Sequence, residues 1–71
     1  MMEWSPDEMD RLERAIVDGN RVQLTRRGTE YVVVPREIRT RGRVDAVVGV
    51  TSTGDELTFS LPEVDHFAVL D

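Results

Sequence analysis

The sequence contains no cysteine, which excludes disulfides, thiolate zinc sites and a cysteine nucleophile at once. It contains no lysine either: all nine basic residues are arginine, against seven aspartates and seven glutamates, for a net charge of -5. Histidine occurs once, as His66. Long apolar runs are missing too; the longest, "YVVVP" and "AVVGV", fall far short of the ~20 residues that cross a bilayer. The start, "MMEWSPDEMD", is acidic where a signal peptide is basic. The expectation is therefore a cytoplasmic protein with no membrane contact. At 71 residues the chain makes a single domain, 1–71, and a domain of this size buries only ~60% of its unfolded surface. A large enclosed active site is not expected, and self-association through strand edges would supplement the core, which makes a homo-oligomer an expected partner state.

The charge that is present is segregated. Residues 1–20 carry six acids and two arginines, residues 21–43 seven arginines and two acids, and residues 44–71 six acids and no base. Carboxylate-rich, lysine-poor surfaces stay soluble through self-repulsion, so a salt-adapted (halophilic) host accounts for the composition; codon bias in a GC-rich genome accounts for it equally well. Within the basic segment, "VVVPREIRTRGRV" places Arg36, Arg39, Arg41 and Arg43 in eight residues.

Local patterning divides the chain into one helix and five strands. In "WSPDEMDRLERAIVDGN", Ser5 is suited to cap, Pro6 to the first helical position and Glu8 to complete a capping box, while Trp4 and Met9 are placed to form a hydrophobic staple. Met9, Leu12, Ala15 and Ile16 make an apolar stripe, and Gly19 suits a left-handed exit. The spacing predicts a helix over about 6–18. After Asn20 the period falls from 3.6 to 2, predicting strands over about 21–26, 30–35, 44–50, 56–61 and 65–70. Pro35 is expected to close the second strand. A core of Leu24, Val33, Val47, Phe59, Phe67 and Val69, with Leu12 and Ile16 from the helix, follows from the alternation. The fold class expected is mostly β with one N-terminal α-helix: a five-stranded, SH3-type antiparallel barrel with the helix over one end.

That order of elements, with "PEV" between the last two strands, resembles the Sm-like division of the SH3-type barrels. From about Leu12 to Leu70 the chain is similar to the WYL domain of bacterial regulators, itself an Sm-like barrel with a leading helix. The stretches that carry the resemblance are "LERAIVDGNRVQLTRRG", "VVVPREI", "RGRVDAVV" and "LTFSLPEVDHFAVL". The tripeptide that gives the family its name is replaced here by Val44, Asp45 and Ala46, and the polar positions flanking the Thr-Phe pair are Leu57, Ser60 and Glu63. The resemblance implies the barrel, a binding or regulatory role and basic residues around Pro35. It does not carry over the family's ligand-sensing set, and the DNA-reading winged helix that usually precedes a WYL domain is absent from this chain.

Candidate chemistry concentrates in the arginines. Arg36, Arg39, Arg41 and Arg43, leaving the second strand through a loop, would crowd one rim, with Arg26 and Arg27, and also Arg21, extending it. Such a rim suits an acidic protein surface, single-stranded RNA or DNA, or a small anionic ligand; alternatively it is neutralised by the chain's own acids. Tyr31 is the only aromatic near enough to stack a base, which favours an acidic protein partner over nucleic acid. His66, flanked by Asp65 and Phe67, is expected on the face of Val64 and Ala68 as a partly buried, satisfied imidazole. Asp7, Asp10 and Glu13 have the spacing of a solvated helix face, "TSTGDE" that of a hairpin loop, and the glycines of "RRG" and "TRGR" that of turns. No nucleophile, base and acid set is present, nor a phosphate loop, dinucleotide fingerprint or metal-ligand spacing. The sequence therefore points to a small non-enzymatic binding or assembly module, without cofactor or metal, with a nucleic-acid-binding regulator as the alternative.

Overall fold

The chain enters its helix through a capped turn. In the computed structural model, which describes residues 3–71, helix α1 spans Pro6–Asp18. The Ser5 hydroxyl accepts from the Glu8 amide at 3.2 Å and donates to the Glu8 carboxylate at 3.2 Å. At the other end Gly19 is left-handed (φ 71°), and the amides of Gly19 and Asn20 donate back to the carbonyls of Ile16 and Ala15. That is the Schellman arrangement, which satisfies carbonyls a helix otherwise leaves open. Leu12 and Ala15 are fully buried, Met9 and Ile16 partly, and Val17 is 83% exposed. This stripe packs on the second and fifth strands.

The strands are β1 Val22–Arg26, β2 Thr29–Arg41, β3 Val44–Val50, β4 Glu56–Ser60 and β5 Val64–Val69, with one 3₁₀ turn, Leu61–Glu63, between the last two. They form one antiparallel sheet in the order β4-β3-β2-β1-β5. Among the described residues no ladder joins β4 to β5, so the pairings establish a five-stranded antiparallel sheet with one helix.

Strand β2 corrects the sequence reading. It does not end at Pro35 but runs on to Arg41, because it changes partner partway along. Val33 pairs with Val22 of β1, whereas Val34 pairs with Val50 of β3. Just past that hand-over the register passes from Pro35–Gly49 to Glu37–Val48, leaving Arg36 as an extra, unpaired residue. A bulge interrupts the ladder there anyway, so the donor that proline lacks is missed less. The bulge also shifts the alternation: Val33 and Pro35 are buried before it, and Ile38 is the next residue to turn inward.

A second bulge corrects the placement of His66. Thr25 pairs with His66 but Arg26 pairs with Val64, so Asp65 is the extra residue. Val64 and Phe67 are buried, while Asp65 and His66 between them are both exposed. Strict alternation put His66 on Val64's face; the inserted residue moves it to the other.

The core comprises Leu12, Ala15, Val22, Leu24, Val33, Val47, Phe59, Leu61, Val64 and Phe67. Ile16 and Val69, expected inside, are partly buried against it. Trp4 lies against Phe67, ring centroids 5.0 Å apart, and its indole N–H donates to the Leu61 carbonyl at 2.9 Å. The staple residue thus pins the helix entry to the turn before β5. Gly49 lies so close to Val33 that a Cβ built on it would stand 2.6 Å from Val33 Cγ2.

Candidate anion-binding surface

The arginines divide into two groups with opposite fates. Those on β1 and its turn are used by the fold. Arg21 closes the β1–β5 ladder through its backbone, exchanging bonds with Leu70 and Asp71. Its guanidinium forks onto the Asp71 carboxylate at 3.1 and 2.8 Å. Hydrogen bonding to Asp71 raises Arg21 further above its ordinary value, and the same bond lowers Asp71 below the usual carboxylate range. Arg26 lays its guanidinium 4.7 Å from the centroid of Phe59 and 5.1 Å from that of Tyr31. It also donates to the Thr58 carbonyl of β4 at 3.3 Å. Arg27 occupies a left-handed position (φ 52°) followed by Gly28 (φ 80°), the two positive angles a type I′ hairpin turn requires. Its amide donates to Asp65 at 3.1 Å and its side chain meets Glu63 at 3.6 Å.

The second group lies on the long arm of β2 and its turn. Arg39 and Arg41 are strand residues, not loop residues, and the hairpin closes in two residues, Gly42 and Arg43, between the paired Arg41 and Val44. Gly42 has φ 61° while Arg43 is not left-handed, the pattern of a type II′ turn with glycine first. Because side chains alternate along a strand, the four arginines do not gather on one rim. Arg36, at the bulge, lines an open groove with Met9, Glu13, Ile16 and Ile38 beside α1. Arg43 lines a cleft with Trp4, Met9, Asp45, Leu61 and Pro62. Arg39 and Arg41 line a separate cleft of about 310 Å³ with Val44, Ala46, Thr58 and Ser60.

Pairing separates them further. Arg39 is bonded through Nε to Glu37, which raises its basicity, with a lesser contribution from the charge of Glu56. Arg36, Arg41 and Arg43 are exposed and make no ion pair among the described residues. Asp45, the nearest acid on β3, accepts instead from the Thr40 hydroxyl at 2.6 Å.

Sequence reasoning missed the hydroxyls that share a cleft with these arginines. Thr58 and Ser60 come from β4, and the register β2–β3–β4 sets Ser60 across Ala46 from Arg39 and Thr58 across Val48 from Glu37. It also missed that Arg26 is spent on two aromatic rings, and that Arg11 stands 5.8 Å over the ring of Phe67. Among the described residues no polar or charged side chain is buried, no group of three metal-ligating side chains is assembled, and no helix is long and apolar enough to cross a membrane. No protein-family model matches the chain, and no curated protein matches it.

Proposed function

We propose that the chain is a non-enzymatic binding or assembly module on an Sm-like, SH3-type frame, docking onto acidic protein surface through the arginines of the β2–β3 arm. The frame is supported by the strand order, in which β1 to β4 follow one another and β5 returns beside β1 after a 3₁₀ turn. The observation that carries the function is that Arg36, Arg41 and Arg43, within eight residues of a chain with 14 carboxylates, make no ion pair among the described residues. An acidic chain has acids to spare for neutralising them and does not use them there.

Protein is favoured over nucleic acid because the aromatic rings are turned inward. Binding of single strands rests on bases stacking on exposed rings. Phe59 and Phe67 are buried, Trp4 is fixed against Phe67, and Tyr31 lies edge-on to Phe59 with Arg26 over it. The test is retention on immobilised polyglutamate at low ionic strength, compared with fluorescence anisotropy of poly-U and poly-A oligomers. Retention that is lost in Arg39→Ala/Arg41→Ala, with no oligomer binding, is the expected result. Oligomer binding with a log-log salt slope of about -3, the value for roughly four phosphate contacts, would overturn it in favour of a nucleic-acid regulator.

A further inference from the structure

The cleft at Arg39 and Arg41 has a definite chemical character. Arg39, Ala46 and Ser60 form one cross-strand row, with Arg41–Val44 beside it toward the turn and Thr58, opposite Val48, on the other flank. With strands about 4.8 Å apart, Arg39 on β2 and Ser60 on β4 stand roughly 10 Å apart across β3, with Arg41 one row toward the turn and Thr58 one row the other way, across Val48 from Glu37. The middle strand contributes Val44 and the small Ala46, so the space between the walls, about 310 Å³, stays open over an apolar floor. No carboxylate lines it. Glu37 and Glu56 act on Arg39, so the more positive end is that of Arg41. Arg39 uses its Nε for Glu37, and neither its terminal nitrogens nor the hydroxyls of Thr58 and Ser60 donate to a protein acceptor among the described residues.

The geometry points to a site for a phosphate monoester, carried as a phosphorylated serine or threonine on the partner protein. This rests on the docking role proposed above and narrows its ligand. A planar carboxylate is satisfied by one guanidinium fork, which would leave the opposite wall unused. A tetrahedral dianion presents three terminal oxygens, enough to take the unpaired charge of Arg41 and the free terminal nitrogens of Arg39 on one side and hydroxyls on the other. The apolar floor accommodates the carbon that bears the ester.

The test is titration of the isotope-labelled protein, followed by amide NMR, with three glycine- and alanine-flanked peptides whose central residue is phosphoserine, serine or glutamate. Free inorganic phosphate is the fourth titrant. The expected result is binding of the phosphoserine peptide alone, with shifts at Val44, Ala46, Thr58 and Ser60. Ala46→Leu, which fills the floor without changing charge, Arg41→Ala and Ser60→Ala should each weaken it about tenfold or more. Two separate substitutions on the arginine and hydroxyl walls keep the test valid if Ala46→Leu disturbs the sheet. Equal binding of the glutamate peptide, or binding indifferent to Ala46→Leu and Ser60→Ala in folded protein, overturns the phosphate assignment and leaves docking to acidic surface standing. Inorganic phosphate binding as tightly as the peptide overturns a protein source. Failure of both the phosphopeptide and polyglutamate removes the docking reading itself.

Discussion

The arginines of β1 and its turn and those of the β2–β3 arm are the same residue type in neighbouring strands of one sheet, yet the first group is consumed by the fold and, apart from Arg39 on Glu37, the second is left over. Arg21, Arg26 and Arg27 each meet an acid, an aromatic ring or a backbone carbonyl. Arg36, Arg41 and Arg43 meet none among the described residues. The difference comes from topology. β1 is an inner strand, flanked on both sides by β2 and β5, and Arg26 at its end lies over the rings of Tyr31 and Phe59. The arm of β2 beyond Pro35 is covered on one side only by β3 and in part by α1. Charge content alone does not tell which arginines the fold uses; the position of a charge relative to the core does.

The comparison rests on the core itself, and removing its centre has the largest effect. Phe59 is fully buried, edge-on to Tyr31 at 5.1 Å and beneath Arg26. Phe59→Ala should cost about 3–5 kcal/mol, which is as much as a core of this size supplies. Collapse of the amide spectrum is the expected outcome. A dispersed spectrum would show that the two halves of the sheet do not depend on this ring.

Next in size is the close approach that lets β3 lie against β2. Gly49→Ala places a Cβ 2.6 Å from Val33 Cγ2 and 2.9 Å from Val33 Cβ, and Val33 is itself 1% exposed. Overpacking of this kind costs about 1–3 kcal/mol. The urea midpoint should fall, and Val33→Ala in the same chain should return part of the loss by making room. A double mutant no more stable than the sum of the singles would deny that the two residues compete for one space.

The third test addresses the two groups directly. Arg26→Ala removes a guanidinium shared by two rings and a bond to β4, and cation–π contacts alone contribute about 0.5–2 kcal/mol. Arg41→Ala removes an exposed, unpaired side chain and should stay within about 0.5 kcal/mol of wild type. Equal urea midpoints for the two mutants would erase the distinction between structural and surplus arginines. Ser5→Ala gives a reference on the same scale: loss of a helix cap costs about 1 kcal/mol, and the Ser5–Glu8 bonds are there to lose.

How far the sequence foretold this depends on whether the deciding information is local. The helix was legible from Ser5 to Gly19 because caps and stripe are local, and it spans Pro6–Asp18 as the spacing predicted. Most inward residues of the strands followed from alternation. What alternation cannot reveal is an inserted residue. The bulges at Arg36 and Asp65 each shift the phase by one, which extends β2 through a proline and turns His66 outward. The single arginine rim failed for the same reason: residues read as a loop are paired strand, and pairing distributes their side chains over two faces. The hydroxyls of Thr58 and Ser60 were out of reach altogether, because their nearness to Arg39 and Arg41 is created by a register between strands about 20 residues apart in the chain.

The smallest effect belongs to the Arg21–Asp71 pair, although its guanidinium forks onto the carboxylate through two hydrogen bonds. Both side chains are more than half exposed, at 56% and 61%, and exposed ion pairs contribute little. Asp71 is held below its ordinary value of 3.8, chiefly by the hydrogen bond from Arg21. A carboxylate whose folded value is depressed stabilises above its unfolded value and loses that contribution as pH falls through the folded one. The raised value of Arg21 lies above any working pH, so nothing is lost on the alkaline side. Asp71→Asn should therefore lower the melting temperature slightly at neutral pH and low salt, with the difference vanishing once pH drops well below 3.8. Molar salt should also remove the difference, since it screens the exposed pair, even while it raises the melting temperature of both proteins by damping repulsion between the two acidic segments. A loss in Asp71→Asn as large as that in Arg26→Ala, or one that persists in acid, would mean that closing the β1–β5 ladder depends on this charge and not on the backbone bonds of Arg21 beside it.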